Sequence, residues 1–172
     1  MGGVRNVGAG SVAVLLVLVL VLLFVDQDPG GDVTGSPAGR EMTVDVARVV
    51  DGDTIEVNIG GGEEDVRYIG IDTPETVKPD TPVQCFGPQA SERNHELVEG
   101  RTVRLEFDRE RRDQYGRLLA YVFVGDQFVN GELIRGGYAR TLEIEPNTSR
   151  AEQLSKLQQE ASDADRGLWG AC

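Results

Sequence analysis

Three short alternations of apolar and polar residues, nearly end to end between Thr43 and Ile71, constrain this chain more than any other feature. In "TVDVARVV" (43–50) Val44, Val46 and, on the same parity, Arg48 alternate with Asp45 and Ala47. In "DTIEVNI" (53–59) Ile55, Val57 and Ile59 share one face. "EDVRYIGI" (64–71) repeats the pattern. A period of two marks strands that bury one face. Linkers as short as Asp51-Gly52 and Gly60–Gly62 make such strands antiparallel neighbours. Beyond this meander, Pro74, Pro79 and Pro82 mark an extended loop. Gly87–Gly100 reads as a helix, with Pro88 in its first turn and Ala90, Leu97 and Val98 apolar. Arg101–Phe107 and Leu118–Val124 read as a fourth and fifth strand about the polar turn Arg109–Arg117. A short helix over Asn130–Gly137 and a longer one over Ser149–Ala164 complete the pattern. The longer one has an apolar stripe of Ala151, Leu154, Leu157 and Ala161, and Ser149 with Glu152 fits a capping box. Three meander strands, a helix and two further strands predict a mainly β, α+β fold: a five-stranded OB barrel with three helices.

The first 41 residues stand apart. Arg5 precedes an apolar run of 19 residues, Val7–Val25, long enough to cross a hydrocarbon core of about 30 Å as a helix. No small-x-small cleavage pattern closes the run, which favours an uncleaved signal-anchor over a cleaved signal peptide. Arg5 before the run and acids after it predict the N-terminus inside and the remainder outside, at the cell membrane or, if the run is cleaved, secreted. Residues 1–25 are therefore read as anchor or signal, 26–41 as a Gly/Pro/Asp linker and 42–172 as the folded domain.

Composition narrows the partners. Asp and Glu number 29 against 17 Lys and Arg, for a net charge of −12, and only Lys78 and Lys156 are lysines. Such a surface suits solubility in high salt, a halophilic reading, or is simply acidic. It argues against a tight nonspecific grip on nucleic acid, which comes from Lys and Arg neutralising phosphates. Two cysteines, Cys85 and Cys172, are an even count in an exported domain and suggest a disulfide; two unrelated thiols are the alternative. The chain-entropy account assigns a loop of this length about 4–5 kcal/mol as an upper-end figure.

Polar residues gather in "DGDT" (51–54), "RYIGIDTPE" (67–75) and "DQYGR" (113–117). A charged Arg67 in an apolar alternation is costly unless it meets an anion. Asp72 and Glu75 repel each other unless a cation lies between them. Carboxylates with carbonyls and waters form a hard-cation site, Ca²⁺ more readily than Zn²⁺. No thiolate or His cluster competes, and the single His95 reads as a helix-surface residue. Taken alone, these groups read more readily as loop acids and surface arginines.

Order and spacing add more. "VVDGDTIEV", "RYIGIDTPE", "CFGPQAS", "DQYGRLLAYV", "VNGELIRGGYA" and "GLWGAC" succeed one another as in the staphylococcal-type thermonucleases, Ca²⁺-dependent phosphodiesterases of the OB fold, which the chain resembles over about Val44–Trp169. The resemblance implies hydrolysis of DNA and RNA to products ending in a 3′-phosphate, with no protein partner. It implies Asp53 and Asp72 as Ca²⁺ ligands through their carboxylates and Thr73 through its carbonyl, with Asp51 shaping the turn or supporting the ligands. Glu75 would be the general base or the group that orients the attacking water. Arg67 and Arg117 would clamp the scissile phosphate, and Tyr115 would lie near the phosphate end of the nucleotide. The sequence departs from the pattern at Gln114, where a lysine is common, and at Glu143 and Glu145, read as replacing two tyrosines that hold the nucleotide. Arg109, Arg111, Arg112 and Arg140 either offset that loss or are solvated surface. A noncatalytic OB module that binds oligonucleotide or a surface partner is the competing expectation. The register leaves open whether Glu145-Pro146 is cis, and "NTS" at Asn147 matches a glycosylation sequon.

A phosphodiester resists attack because its anionic oxygens repel the nucleophile, so cations that neutralise them carry much of the catalysis. Arg117→Ala or Glu75→Ala is predicted to raise the barrier by about 3–4 kcal/mol. Turnover of a single-stranded substrate measures this, and rates within about tenfold of wild type would contradict both roles.

Overall fold

The structure is a computed structural model that describes residues 1–3, 40–76 and 82–172. The apolar run, nearly all of the linker, and Lys78 and Pro79 of the proline-marked loop lie outside the described residues. The chain divides into two units, Met1–Gly35 and Ser36–Cys172, and the described strands and helices all belong to the second.

Strands β1 (Glu41–Val49), β2 (Thr54–Ile59) and β3 (Gly62–Tyr68) form the antiparallel meander. After a two-residue strand β4 (Ile71–Asp72) come helix α1 (Gly87–Val98), β5 (Thr102–Glu106) and β6 (Leu118–Val124). β5 pairs with β1 and with β6, and β6 returns to pair in parallel with β3. Five strands thus close the predicted OB barrel and leave it without a free edge. The rest of the unit is β7 (Gln127–Phe128), α2 (Val129–Arg135), β8 (Arg140–Thr141), α3 (Ala151–Asp163) and a short α4 (Leu168–Ala171) not foreseen among the three helices. Ile55, Val57, Val66, Val103, Leu105 and Val122 fill the interior, and Leu133, Ile134 and Leu154 continue the core beneath the helices.

Departures from the sequence pattern have local causes. A bulge between Val46 and Arg48 shifts the parity of β1. Val49 therefore faces the core, while Arg48 is exposed and pairs with Glu56. In the third segment Val66 and Tyr68 are the core residues, and Arg67 lies on the opposite face. The segment then turns at Ile69-Gly70 before β4, which pairs with β8 rather than extending the barrel. The capping box does not form. α3 begins at Ala151 with Arg150 at its cap, and the Ser149 N–H donates instead to Asp108 (3.0 Å). Asn147 is buried and exchanges two 2.8 Å hydrogen bonds with the Glu110 backbone, so the sequon side chain is structural in the folded unit. Glu145-Pro146 is cis. His95 is partly exposed on α1, 3.0 Å from Glu99.

Two fully buried asparagines lock the loops to this frame. Asn130 accepts from the Val122 N–H (2.9 Å) and donates to the Ile69 carbonyl (2.9 Å). Asn94, on α1, accepts from the Tyr68 hydroxyl (3.0 Å) and donates to the Asp51 carbonyl (2.8 Å). Each buried polar side chain thus finds partners, without which its burial would cost a few kcal/mol.

At the end of β5, Glu106 takes hydrogen bonds from Arg104 and Arg150 and ties the barrel to the start of α3. Partial burial pushes its carboxyl up, but the two guanidiniums outweigh this and hold it below its ordinary value. A carboxyl depressed on folding stabilises the protein above its unfolded value and loses that contribution as pH falls through its folded value. Denaturant titrations between neutral pH and the acid range are expected to show a shallower acid-side loss of stability in Glu106→Gln than in wild type. Identical slopes would refute this contribution.

Candidate functional site

One side of the barrel collects the polar clusters from separate parts of the chain. The β1–β2 turn supplies Asp53. Asp51 accepts the Asp53 N–H through Oδ1 (3.0 Å), which shapes the turn. The turn then crosses the segment after β4 so closely that a Cβ on Gly52 would lie 2.7 Å from Thr73 Oγ1. Only glycine permits this approach, and it lets Asp53 Oδ2 accept both the Thr73 N–H (2.7 Å) and the Thr73 hydroxyl (3.0 Å). Its other oxygen accepts the Thr54 hydroxyl (3.2 Å).

Arg67, directly across from Thr54, reaches into this cradle. Its Nε lies 3.2 Å from Asp53 Oδ1, and Nη2 donates to Asp72 Oδ1 (3.0 Å). Nη1 donates to the Tyr68 and Ile71 carbonyls (3.0 and 2.9 Å). Arg67 therefore meets the anions that the sequence requires of it, and they are carboxylates of its own chain. The Asp53 side chain is 6% exposed and that of Asp72 60%, so one end of the array is buried and the other faces solvent. Burial and the neighbouring Asp53 carboxylate push the Asp51 carboxyl up to about 6.

Arg117 is built by turn chemistry. In "DQYGR", Asp113 Oδ1 accepts the Tyr115 and Arg117 N–H groups (2.9 and 3.0 Å), and Gly116 takes a left-handed φ of 88°. Asp113 Oδ2 accepts the Arg117 Nε–H (2.7 Å). Partial burial raises the Asp113 carboxyl, but the Arg117 side chain and these backbone donors outweigh it and hold it below its ordinary value. The terminal nitrogens of Arg117 make no hydrogen bond among the described residues. Because β3 and β6 are parallel neighbours, Arg67 and Arg117 come to one cavity of about 400 Å³. Tyr115, 76% exposed, forms part of its rim, and the Arg117 guanidinium lies 5.6 Å from that ring.

The sequence reading of the far wall needs correction. Glu143 does not line this cavity. Leu142 and Ile144 do, with Glu145 beside them. The Leu142 N–H donates to the Gly70 carbonyl (3.0 Å), which sets this segment against the cavity. The wall is more apolar than two acids would make it. The four arginines read as one group are also separate. Arg111 stacks on Phe107, Arg112 pairs with Glu64 and donates to the Gly116 carbonyl, Arg109 is exposed, and Arg140 stands across from Asp72 on β8.

Glu75 lines neither this cavity nor the one around Asp72 and Thr73. Its Oε1 accepts the Thr76 N–H (2.9 Å). A residue that the sequence does not single out fixes its backbone: Gln84 takes the Glu75 N–H on its side chain (3.0 Å) and returns its own N–H to the Glu75 carbonyl (2.9 Å). The next residue, Cys85, is disulfide-bonded to Cys172. Asp113 and Asn94 are two more positioning residues that the sequence reading does not pick out. Only the turn pattern of "DQYGR" signals Asp113, and nothing local signals Asn94.

Among the described residues no three acidic, His or Cys side chains converge as a ready-made metal cage. The donor set still fits a hard cation. Asp53 and Asp72 offer only oxygen, and both lie against one guanidinium. With two arginines at one cavity, the arrangement suits an anionic ester beside a divalent ion.

Residues 65–171 match the family described as Staphylococcal nuclease homologue. The chain is 42% identical over 135 residues to the thermonuclease of Staphylococcus hyicus, covering 78% of this chain and 80% of that protein. It is 46% identical over 124 residues to the thermonuclease of Staphylococcus intermedius, covering 72% and 74%. The SPbeta prophage-derived endonuclease YokF of Bacillus subtilis is 48% identical over 131 residues, which are 75% of this chain but only 44% of YokF.

Gln84→Ala removes the acceptor for the Glu75 N–H while keeping the Gln84 backbone. Losing such a bond costs about 1 kcal/mol, so amide hydrogen exchange at Glu75 is expected to quicken by about five- to tenfold, with the barrel amides unaffected. Unaltered exchange at Glu75 would show that the segment is held by other contacts.

Proposed function

The chain belongs to the staphylococcal nuclease family, and we propose that it hydrolyses phosphodiester bonds of DNA and RNA in a Ca²⁺-dependent reaction outside the cytoplasm. The observation that carries this reading is the convergence of Arg67 and Arg117 on one cavity, with Asp53 and Asp72 held at the back of Arg67.

Each residue has a task that follows from its surroundings. Arg117 is oriented through Nε by Asp113 and presents its terminal nitrogens to a phosphate as a planar fork. Arg67 approaches the same phosphate from β3. Three of its N–H groups donate to Asp72 and two carbonyls, and Nε is ion-paired with Asp53, so engaging a phosphate exchanges a carboxylate partner for it. Asp53 and Asp72 would then hold Ca²⁺, which supplies positive charge to the phosphate oxygens and binds water. Thr73 donates its N–H and hydroxyl to Asp53 and so fixes the carboxylate that faces the ion. Glu75, held by Gln84, is the carboxylate that takes a proton from the attacking water or lines it up. Tyr115, Leu142 and Ile144 offer an amphipathic rim for the nucleoside.

The N-terminal apolar run supports placement at the cell membrane with the domain outside, or secretion if the run is removed. An oxidised Cys85–Cys172 pair suits either compartment. The acidic surface favours activity that persists in salt, where repulsion between enzyme and substrate is screened.

Cleavage of single-stranded DNA by the domain from Glu41 onward tests the reading, with Ca²⁺, with Mg²⁺ and with chelator, across salt concentrations. Hydrolysis is expected with Ca²⁺ and is expected to be lost in chelator. A folded domain that cleaves nothing with Ca²⁺ at any salt would end the enzyme reading.

A further inference from the structure

A second cavity, of about 390 Å³, opens on the other side of the Arg67–Asp72 pair. Asp72, Thr73, Gln84 and Arg140 line it, with the Cys85–Cys172 disulfide. It shares no lining residue with the cavity that holds Arg67 and Arg117; the Arg67–Asp72 pair joins the two.

Arg140 is the cation of this cavity. In a chain of net charge −12, most arginines of the described residues pair with a carboxylate or a carbonyl. The Arg140 guanidinium makes neither contact among the described residues. It is exposed, lies 5.0 Å over the Trp169 ring, and stands across the β4–β8 ladder from Asp72. Trp169 is itself fixed. The preceding Leu168 N–H donates to the Gly137 carbonyl (2.8 Å), and Cys172 is bonded to Cys85. A stacked guanidinium gives up little rotamer freedom when it binds an anion, and its planar fork fits a phosphate.

We propose that Arg140, held on Trp169, is a second phosphate subsite that grips the nucleotide flanking the scissile bond on the Asp72 side. This rests on the nuclease reading of the neighbouring cavity. A polynucleotide whose scissile phosphate lies at Arg67 and Arg117 must leave the site past one of its ends. At the Asp72 end that strand meets Arg140, whose guanidinium no carboxylate or carbonyl of the described residues engages. In an acidic protein that cation offsets local repulsion of the strand.

The full chain and its Arg140→Ala and Arg140→Gln variants test this, with a thermal melt to establish that each variant folds. The first readout is binding of a fluorescent oligothymidylate of about eight nucleotides, in chelator and over a range of salt. Both variants are expected to bind about five- to tenfold more weakly at low salt, and the slope of log affinity against log salt is expected to flatten by about 0.7, one phosphate contact on a single strand. The second readout is hydrolysis with Ca²⁺ of that oligonucleotide and of the 4-nitrophenyl diester of thymidine 5′-phosphate, which carries a single phosphate. kcat/KM is expected to fall several-fold more on the oligonucleotide than on the small diester. Wild-type affinity and salt slope in the variants would overturn the subsite, as would equal losses on both substrates with an unaltered slope. A wild-type chain that binds the oligonucleotide but hydrolyses neither substrate would end the nuclease reading, and the binding readout would still decide the subsite.

Discussion

The Arg67 guanidinium, set between Asp53 and Asp72, is the interaction on which the functional face depends. It draws together the turn after β1, the strand β3 and the segment at β4, none of which is held there by sheet pairing alone. The Asp53 end is buried, so removing Arg67 leaves a buried carboxylate without its counter-charge, at a cost on the order of 3–5 kcal/mol. The carboxylates proposed to receive an ion are thus held in place, with Arg67 as their counter-charge.

Around that array, backbone positions are fixed by side-chain amides. Asn94 holds the Asp51 carbonyl, Asn130 holds the turn after β3, and Gln84 holds Glu75. Asn94 and Asn130 each bridge a loop to a helix far away in sequence, and Gln84 closes the loop that carries Glu75. The result is a preorganised site, in which little reorganisation remains to be done when charge moves during reaction. The disulfide extends the same logic to the C-terminus, since it brings the segment that carries Trp169 beside Gln84 and Arg140.

Much of this is legible in the sequence, and the misses share a cause. Alternation around Ile55 and Val57, and the continuous apolar run of the fifth strand, specify burial whatever surrounds them. The sequence places Arg48 and Arg67 by counting parity through a bulge and across the turn at Gly70, where parity is not conserved. Ser149 matches a capping pattern, yet its N–H is taken by Asp108, 41 positions earlier. The expectation that Glu143 walls the nucleotide cavity fails because β4–β8 pairing and the Leu142–Gly70 hydrogen bond decide which side chains beyond β8 face it. In each case a structural context outside the local window overrides a local signal.

The sequence by itself determined the barrel and the chemical character of the site. Strand period, turn residues and helix stripes are local properties, and the types Asp, Arg, Glu and Tyr in that order carry the family resemblance. Tertiary structure alone decided which of those groups meet. Arg67 and Arg117 share a cavity because β3 and β6 close the barrel in parallel. Asp53 reaches Thr73 because Gly52 lets two loops touch. Arg140 is separated from the other three arginines because β8 pairs with β4 beside Asp72. Distances between residues far apart in the chain are set by closure and packing, and no window of sequence contains them.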